Sequence, residues 1–202
     1  MDNKLLNRLF LVDLKKAFDL VDHETLVNKL HIYGCYHSTM AWFCSYLSRH
    51  SQKTQFRSTL SEALPVSVGV PQGSILGPLF FKIHINDLLF ELHSDVTSTM
   101  FVYDTTILVW GPSVPSLSTQ LNEVARTVST WADNNRMSLE TTKTKSFLIT
   151  TLQKCCTLTR LALNVQIDGR SIEQVDYDKM LRVKDRQWNI LGASYQYNLL
   201  HH

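Results

Sequence analysis

Two short apolar runs that each meet an aspartate constrain this chain more than any other feature. Leu9-Phe-Leu-Val12 reads as a buried strand with Asp13 at its end. Thr99 through Trp110 reads as two apolar strands around a polar tip that holds Asp104. A charge at the end of a buried strand is costly unless it has a partner. If the two strands are neighbours, Asp13 and Asp104 converge at one sheet edge. Paired carboxylates suit Mg²⁺, a hard cation that takes oxygen ligands and keeps water and phosphate in its shell. Spacing alone leaves open the plainer reading, in which both aspartates are turn residues or helix caps.

The rest of the chain supplies the frame for such an edge. Asp22 starts a helix that Gly34 stops, with Leu26, Leu30 and Tyr33 on one face. A second helix fits residues 38–49, with Trp42, Phe43, Tyr46 and Leu47 on its apolar side. Residues 52–68 alternate like a hairpin, Gly69 to Gly73 is a loop, and a helix follows to about Leu92 with Pro78 in its early turns. After Gly111-Pro112, residues Leu117, Leu121, Val124, Val128 and Trp131 form one apolar helical stripe. A strand over 145–151 and a hairpin over 161–174, turning at Asp168-Gly169, complete the pattern. Helices that alternate with antiparallel hairpins predict an α+β fold rather than a doubly wound parallel one.

Composition narrows the function classes. The chain has 202 residues, 44% hydrophobic and 19% charged, with 7 Gly and 5 Pro, which excludes a disordered or collagen-like chain. A net charge of +2 does not by itself mark a nucleic-acid binder. The four cysteines (Cys35, Cys44, Cys155, Cys156) form no CxxC pair, so neither a zinc site nor a disulfide framework is indicated. The most apolar stretch, Ile75 to Leu92, carries Lys82, His84, Asn86 and Asp87, which argues against a membrane span. With no signal peptide or transmembrane segment evident, the expectation is an intracellular protein, nuclear or cytoplasmic.

Other residues could carry chemistry. Gly69-Val-Pro-Gln-Gly-Ser-Ile-Leu-Gly77 is a glycine-rich turn before a helix, whose backbone N–H groups could approach a phosphate or a base, although it matches neither phosphate-loop fingerprint. Asp19 is either a supporting acid or solvated. Arg49, Lys53 and Arg57 form an acid-free basic run, and Arg136, Lys143, Lys145, Lys154, Arg160 and Arg170 cluster further on. Such groups track a phosphate backbone or simply face solvent.

The motifs themselves carry a resemblance. Asp13-Leu-Lys-Lys-Ala-Phe-Asp19, continuing Leu-Val-Asp-His23, resembles the first palm motif of the reverse transcriptases of non-LTR (LINE-type) retrotransposons, which are RNA-directed DNA polymerases. Gly69-Val-Pro-Gln-Gly-Ser-Ile-Leu-Gly-Pro-Leu79 with Ile85-Asn-Asp-Leu88 resembles the second almost verbatim. Phe101-Val-Tyr-Asp-Thr-Thr106 stands where the family carries Phe/Tyr-Ala-Asp-Asp, and Trp131 to Lys145 resembles the fourth. The likeness covers residues 9–150 in order and continues faintly to about Leu191.

That resemblance implies a palm, a split βαβ antiparallel sheet with helices on one face, over residues 1–150. Residues 151–202 would be a partial connection toward an incomplete thumb, and the fingers would be missing. Asp13, the Leu14 carbonyl and Asp104 would hold Mg²⁺, or Mn²⁺. Phe18 would exclude a ribose 2′-OH, Gln72 and Gly73 would line template and nucleotide, and Lys143 would sit near the triphosphate as a proton donor. Partners would be an RNA template, a DNA primer and a dNTP, with no membrane. Tyr103 departs from the pattern, because the family has an aspartate there. A phenol, with a reference pKa of about 10, is neutral at pH 7 and a poor Mg²⁺ ligand. Val102, Glu140 and Arg182 also replace usual residues. The expectation is therefore an impaired polymerase, with a non-catalytic nucleic-acid-binding remnant as the alternative.

Overall fold

The structure is a computed structural model that describes residues 5–48, 50–93, 96–101, 104–149, 164–175, 179–180 and 183–184. In chain order its elements are β1 (Leu6–Val12), α1 (His23–Ile32), α2 (His37–Ser48), the two-residue strands β2 (Ser51–Gln52), β3 (Gln55–Phe56), β4 (Thr59–Leu60) and β5 (Leu64–Pro65), α3 (Leu76–Ile85) and α4 (Leu88–Glu91). Then come β6 (Thr97–Phe101), β7 (Asp104–Gly111), α5 (Val114–Asn134), β8 (Lys145–Ile149), β9 (Gln166–Ile167), β10 (Arg170–Ser171), β11 (Glu173–Gln174), β12 (Lys179–Met180) and β13 (Val183–Lys184). The chain divides into two compact units. One takes the described residues of Met1–Leu14, Leu89–Trp131 and Leu139–His202, and the other takes Lys15–Leu88 and Ala132–Ser138.

The first unit is built on a five-stranded sheet in the order β11-β8-β1-β7-β6. β1 runs antiparallel to both neighbours, Leu6 opposite Gly111 at one end and Val12 opposite Thr105 at the other. β6 and β7 are the expected hairpin, paired from Thr97↔Leu108 to Phe101↔Asp104. The sheet is nevertheless mixed, not antiparallel throughout, because β11 pairs with β8 in parallel. Parallel neighbours need a long crossover, and residues 150–172 lie between these two strands.

Strand alternation separates two faces. Leu6, Arg8, Phe10 and Val12 of β1 lie opposite Gly111, Val109, Ile107 and Thr105 of β7, and all eight are buried. Of the intervening residues Leu9 is also buried, and Asn7, Leu11, Thr106, Leu108 and Trp110 are half-buried. A fully buried Leu or Phe contributes about 1.5–3 kcal/mol through removal from water. Arg8 is the exception on the closed face. It is 1% exposed, donates from Nη2 to Ser146 Oγ at 3.3 Å, and its Nε meets no partner among the described residues. Burial pulls its pKa down to about 10.

The predicted stripe of α5 is core, with Leu117, Leu121, Val124, Val128 and Trp131 all buried. Gly111 ends β7 against Ser116 and Leu117. The β9–β10 hairpin turns at Asp168 and Gly169, both with positive φ (50° and 74°), and Asp168 accepts from Ser129 Oγ of α5 at 2.7 Å. The Cys155-Cys156 pair and Arg182 lie outside the described residues.

In the second unit, α1 buries Leu26 and Leu30, but Tyr33 lies past the helix and is half-exposed, its hydroxyl accepting from Asn86 Nδ2. Of α2's apolar side only Leu47 is fully buried. Phe43 and Tyr46 lean on the buried ring of Phe80 in α3, whereas Trp42 stays open. The alternating stretch is a hairpin only in short pieces, β2 with β5 and β3 with β4, and residues 51–65 are exposed throughout. Among the described residues, no helix is long and apolar enough to cross a membrane.

Candidate active site

The first unit sets Asp13 and Asp104 at one end of the sheet. The last rung between β1 and β7 is Val12↔Thr105, so Asp13 and Asp104 flank that rung at the same end of the sheet, close enough for Asp104 to act on Asp13 electrostatically. Asp13 is half-buried and Asp104 exposed. Burial raises the Asp13 pKa above the ordinary carboxylate range; Lys143 opposes the shift, and the negative charges of Asp104 and Glu140 add to it. Asp13 is therefore a carboxylate whose ionised form the protein leaves under-compensated.

Its backbone is tied down from the other side. Asp13 N–H donates to Thr144 Oγ1 at 3.2 Å, and Asp13 C=O accepts from Glu140 N–H at 2.9 Å. Leu14 bridges to Leu139 in the same stretch. Lys143 N and Thr144 N both donate to Glu140 O, closing a tight turn that carries exposed Lys143 within electrostatic reach of Asp13. The structure thus brings Asp13, Asp104 and Lys143 into one electrostatic group. Val102 and Tyr103, between β6 and β7 in sequence, lie outside the described residues.

The second unit holds the glycine-rich loop. Gly69 N donates to Val21 O at 2.7 Å, Val70 N to Phe18 O at 2.8 Å, and His23 Nε2 to Gly69 O at 2.7 Å. Phe18 is half-buried and stacks on Phe81, with ring centroids 4.5 Å apart. Gln72 and Gly73 are exposed, and Gln72 Nε2 donates to Asp19 Oδ1 at 2.9 Å. Asp19 is thus exposed but bonded, not simply solvated. Gly69 and Gly73 both have positive φ, +85° and +81°. A side chain at Gly69 would strike the Asp19 backbone at 2.8 Å, whereas no described residue lies within 4 Å of one at Gly73. Gly69 is a packing glycine; Gly73 leaves an open backbone.

Other charged residues have structural duties. Asp22 caps α1, its Oδ1 accepting from Thr25 N at 2.9 Å. Its Oδ2 takes a 2.8 Å contact from Arg136, which also reaches Glu24. Arg136 is therefore committed to an ion-pair cluster and is not a free member of a phosphate-tracking patch. The contact of Thr144 with Asp13 and the engagement of Arg136 have no periodic signal. The sequence hint is only that each lies within or beside the fourth motif.

Oxygen donors dominate the Asp13 end. Among the described residues no three His, Cys, Asp or Glu side chains gather to hold a metal. Two carboxylates and the neighbouring Leu14 carbonyl fit a hard cation that fills its remaining positions with water and phosphate. Burial first, and the nearby Asp104 and Glu140 after it, disfavour the ionised Asp13 carboxylate, a cost that a bound cation would relieve.

The reverse transcriptase (RNA-dependent DNA polymerase) family profile matches residues 2–195. The chain belongs to the reverse transcriptase family. Within that family it is similar to proteins of non-LTR retrotransposons. It is 31% identical over 138 residues, 68% of its length, to a putative 115 kDa protein in the type-1 retrotransposable element R1DM of Drosophila melanogaster. It is 25% identical over 193 residues, 90% of its length, to a probable RNA-directed DNA polymerase from transposon BS of the same organism. Against the RNA-directed DNA polymerase from mobile element jockey the figures are 26% over 148 residues, 66% of its length. The matched stretch spans only 13%, 20% and 15% of those three relatives. The chain therefore spans only a fraction of the length of each of these relatives.

Proposed function

We propose that the chain is the palm of a non-LTR retrotransposon RNA-directed DNA polymerase, impaired in catalysis at Tyr103. The observation that supports this is the register of β1 and β7, whose last rung, Val12↔Thr105, is followed by Asp13 on one strand and preceded by Asp104 on the other, in a chain of the reverse transcriptase family. The strand order supports the palm reading too: β1 lies between β7 and β8, and the β6–β7 hairpin carries Asp104. We assign residues 1–150 to the palm and 151–202 to the connection toward the thumb.

The reaction would join a dNTP to a primer 3′-OH opposite an RNA template. The 3′ oxygen gives up its proton to solvent and bonds to the α-phosphorus, the bond to the bridging oxygen breaks, and pyrophosphate leaves. Asp13 and Asp104, with the Leu14 carbonyl, would hold Mg²⁺ or Mn²⁺. A bound divalent cation would lower the pKa of the attacking hydroxyl and offset charge on the leaving group. Lys143 would give its proton to the departing pyrophosphate. Phe18 would press against the sugar and exclude a 2′-OH, and Gln72 and Gly73 would contact template and incoming nucleotide.

Tyr103 decides how much of this chemistry survives. It brings no negative charge where the family pattern has an aspartate, and preorganised charge dominates phosphoryl-type transfer. It also favours the second reading, a nucleic-acid-binding remnant without catalysis. Primer extension on an RNA template with Mg²⁺ tests both. The chain is expected to run ~10²–10³-fold slower than its Tyr103→Asp variant, the usual scale for one lost electrostatic contact. Equal rates would show that Asp13 and Asp104 suffice. Silence in both, together with salt-sensitive RNA binding, would leave the remnant.

A further inference from the structure

We infer that Thr144 is the positioning residue that fixes Asp13 at the open end of β1. The inference rests on the reading of Asp13 as a cation-binding carboxylate. The sheet itself does not hold Asp13: the β1–β7 ladder stops at Val12↔Thr105, and the β1–β8 ladder stops at Leu11↔Lys145. A half-buried peptide beyond the last rung needs partners from elsewhere.

The turn before β8 supplies them. Glu140 N–H reaches the Asp13 carbonyl, and the Thr144 hydroxyl takes the Asp13 N–H. The first contact is backbone, so any residue at 140 other than proline can make it. The second needs a side chain with an acceptor of that length. Among the described residues, Thr144 is the member of this clamp that holds Asp13 through its side chain, and it is fully buried. Its own N–H is spent on Glu140 O, which sets its hydroxyl toward Asp13 and presents Lys143 next to it. The same residue thus fixes Asp13 and the turn carrying the cation that acts on Asp13.

A bond so placed has a functional consequence distinct from stability. Outer partners of metal ligands fix ligand orientation, and their loss costs ~10-fold to 100-fold in metal affinity. Thr144→Val preserves shape and volume but offers no acceptor, leaving the Asp13 N–H unpaired. Thr144→Ser keeps the hydroxyl.

The experiment compares the chain with Thr144→Val, Thr144→Ser and Asp13→Asn. Mn²⁺ affinity is read by electron paramagnetic resonance on the folded proteins, and exchange of the Asp13 amide by NMR. Thr144→Val is expected to unprotect the Asp13 amide and weaken Mn²⁺ by ~10-fold or more, while Thr144→Ser retains both. Mn²⁺ affinity lost in Asp13→Asn but kept in Thr144→Val would overturn the positioning role alone. Affinity unchanged in Asp13→Asn would overturn the reading of Asp13, and the role of Thr144 with it. If Thr144→Val does not fold, Thr144→Ala, which deletes the same acceptor without filling its space, is read in the same way.

Discussion

Asp13 and Asp22 sit in one short motif and have opposite electrostatic fates. Burial pushes the Asp22 pKa up, but the backbone N–H and hydroxyl of Thr25 and the Arg136 guanidinium outweigh it, and the net shift is downward. Burial also raises Asp13, and there two neighbouring carboxylates reinforce it, with only Lys143 opposed. The protein completes one carboxylate and leaves the other open. A completed carboxylate is architecture; an open one at a sheet end is a place for a ligand that brings positive charge. The glycines of the second motif repeat the contrast, with Gly69 walled in by the Asp19 backbone and Gly73 facing no described residue.

The glycine pair yields the largest expected effect. Gly69→Ala combines a positive φ with a backbone collision and should cost ~2–4 kcal/mol. Gly73→Ala meets only the cost of the left-handed conformation, ~1–2 kcal/mol. Chemical denaturation of both variants checks this. Equal losses would erase the distinction between a packing and an open glycine.

Arg8 tests how far the contrast extends. Like Asp13 it is a charge the protein leaves incompletely partnered, but it lies on the closed face, where no ligand can reach it. If it is only a cost, Arg8→Met should stabilise by ~1–3 kcal/mol, as apolar replacement of poorly compensated buried charge often does. Mn²⁺ affinity should not change. Loss of that affinity in Arg8→Met would show that an incompletely partnered group on the closed face also serves the site.

What the sequence made legible was local. The Asp22 cap, the Asp168-Gly169 turn, the α5 stripe and the β6–β7 hairpin each follow from chemistry within a few residues, and each stands where the pattern put it. The glycine-rich motif was legible as a loop, and its family likeness came with it. Partners chosen across long separations were not legible. Arg136 reads as one more basic residue until Asp22 is beside it. Thr144 reads as a strand flank until its hydroxyl meets the Asp13 N–H, because periodicity reports which face is buried and not what lies opposite. The parallel pairing of β11 was hidden for the same reason, since a two-residue strand carries no alternation. The exposed 51–65 stretch shows the converse error: alternation there produced strands without a buried face.

Asp22→Ala removes a helix cap and should cost ~1 kcal/mol at neutral pH. Its sign with pH follows from the lowered pKa. The folded state holds the proton less tightly than the unfolded state, so the ionised group stabilises above about pH 4, the unfolded value. That contribution disappears as pH falls through the folded pKa. The deficit of Asp22→Ala should therefore shrink in acid, as thermal melts at pH 7 and pH 3 would show. A deficit independent of pH would mean that the cap, and not the charge, does the work.

Asp13→Asn should move stability the other way. The folded state holds the Asp13 proton more tightly than the unfolded state, so ionised Asp13 costs stability once pH exceeds about 4. The amide should stabilise the metal-free protein at pH 7 by less than ~1 kcal/mol, a figure kept small because solvent screens a half-buried carboxylate. The gain should fade to nothing in acid, where Asp13 is protonated in both states. Millimolar Mg²⁺ should then reverse the order, raising the melting temperature of the parent chain and not of the variant, since a ligand stabilises only the state that binds it. A melting temperature indifferent to Mg²⁺ in both proteins would leave Asp13 an expensive carboxylate with no cation to justify it, and the contrast with Asp22 would reduce to chance.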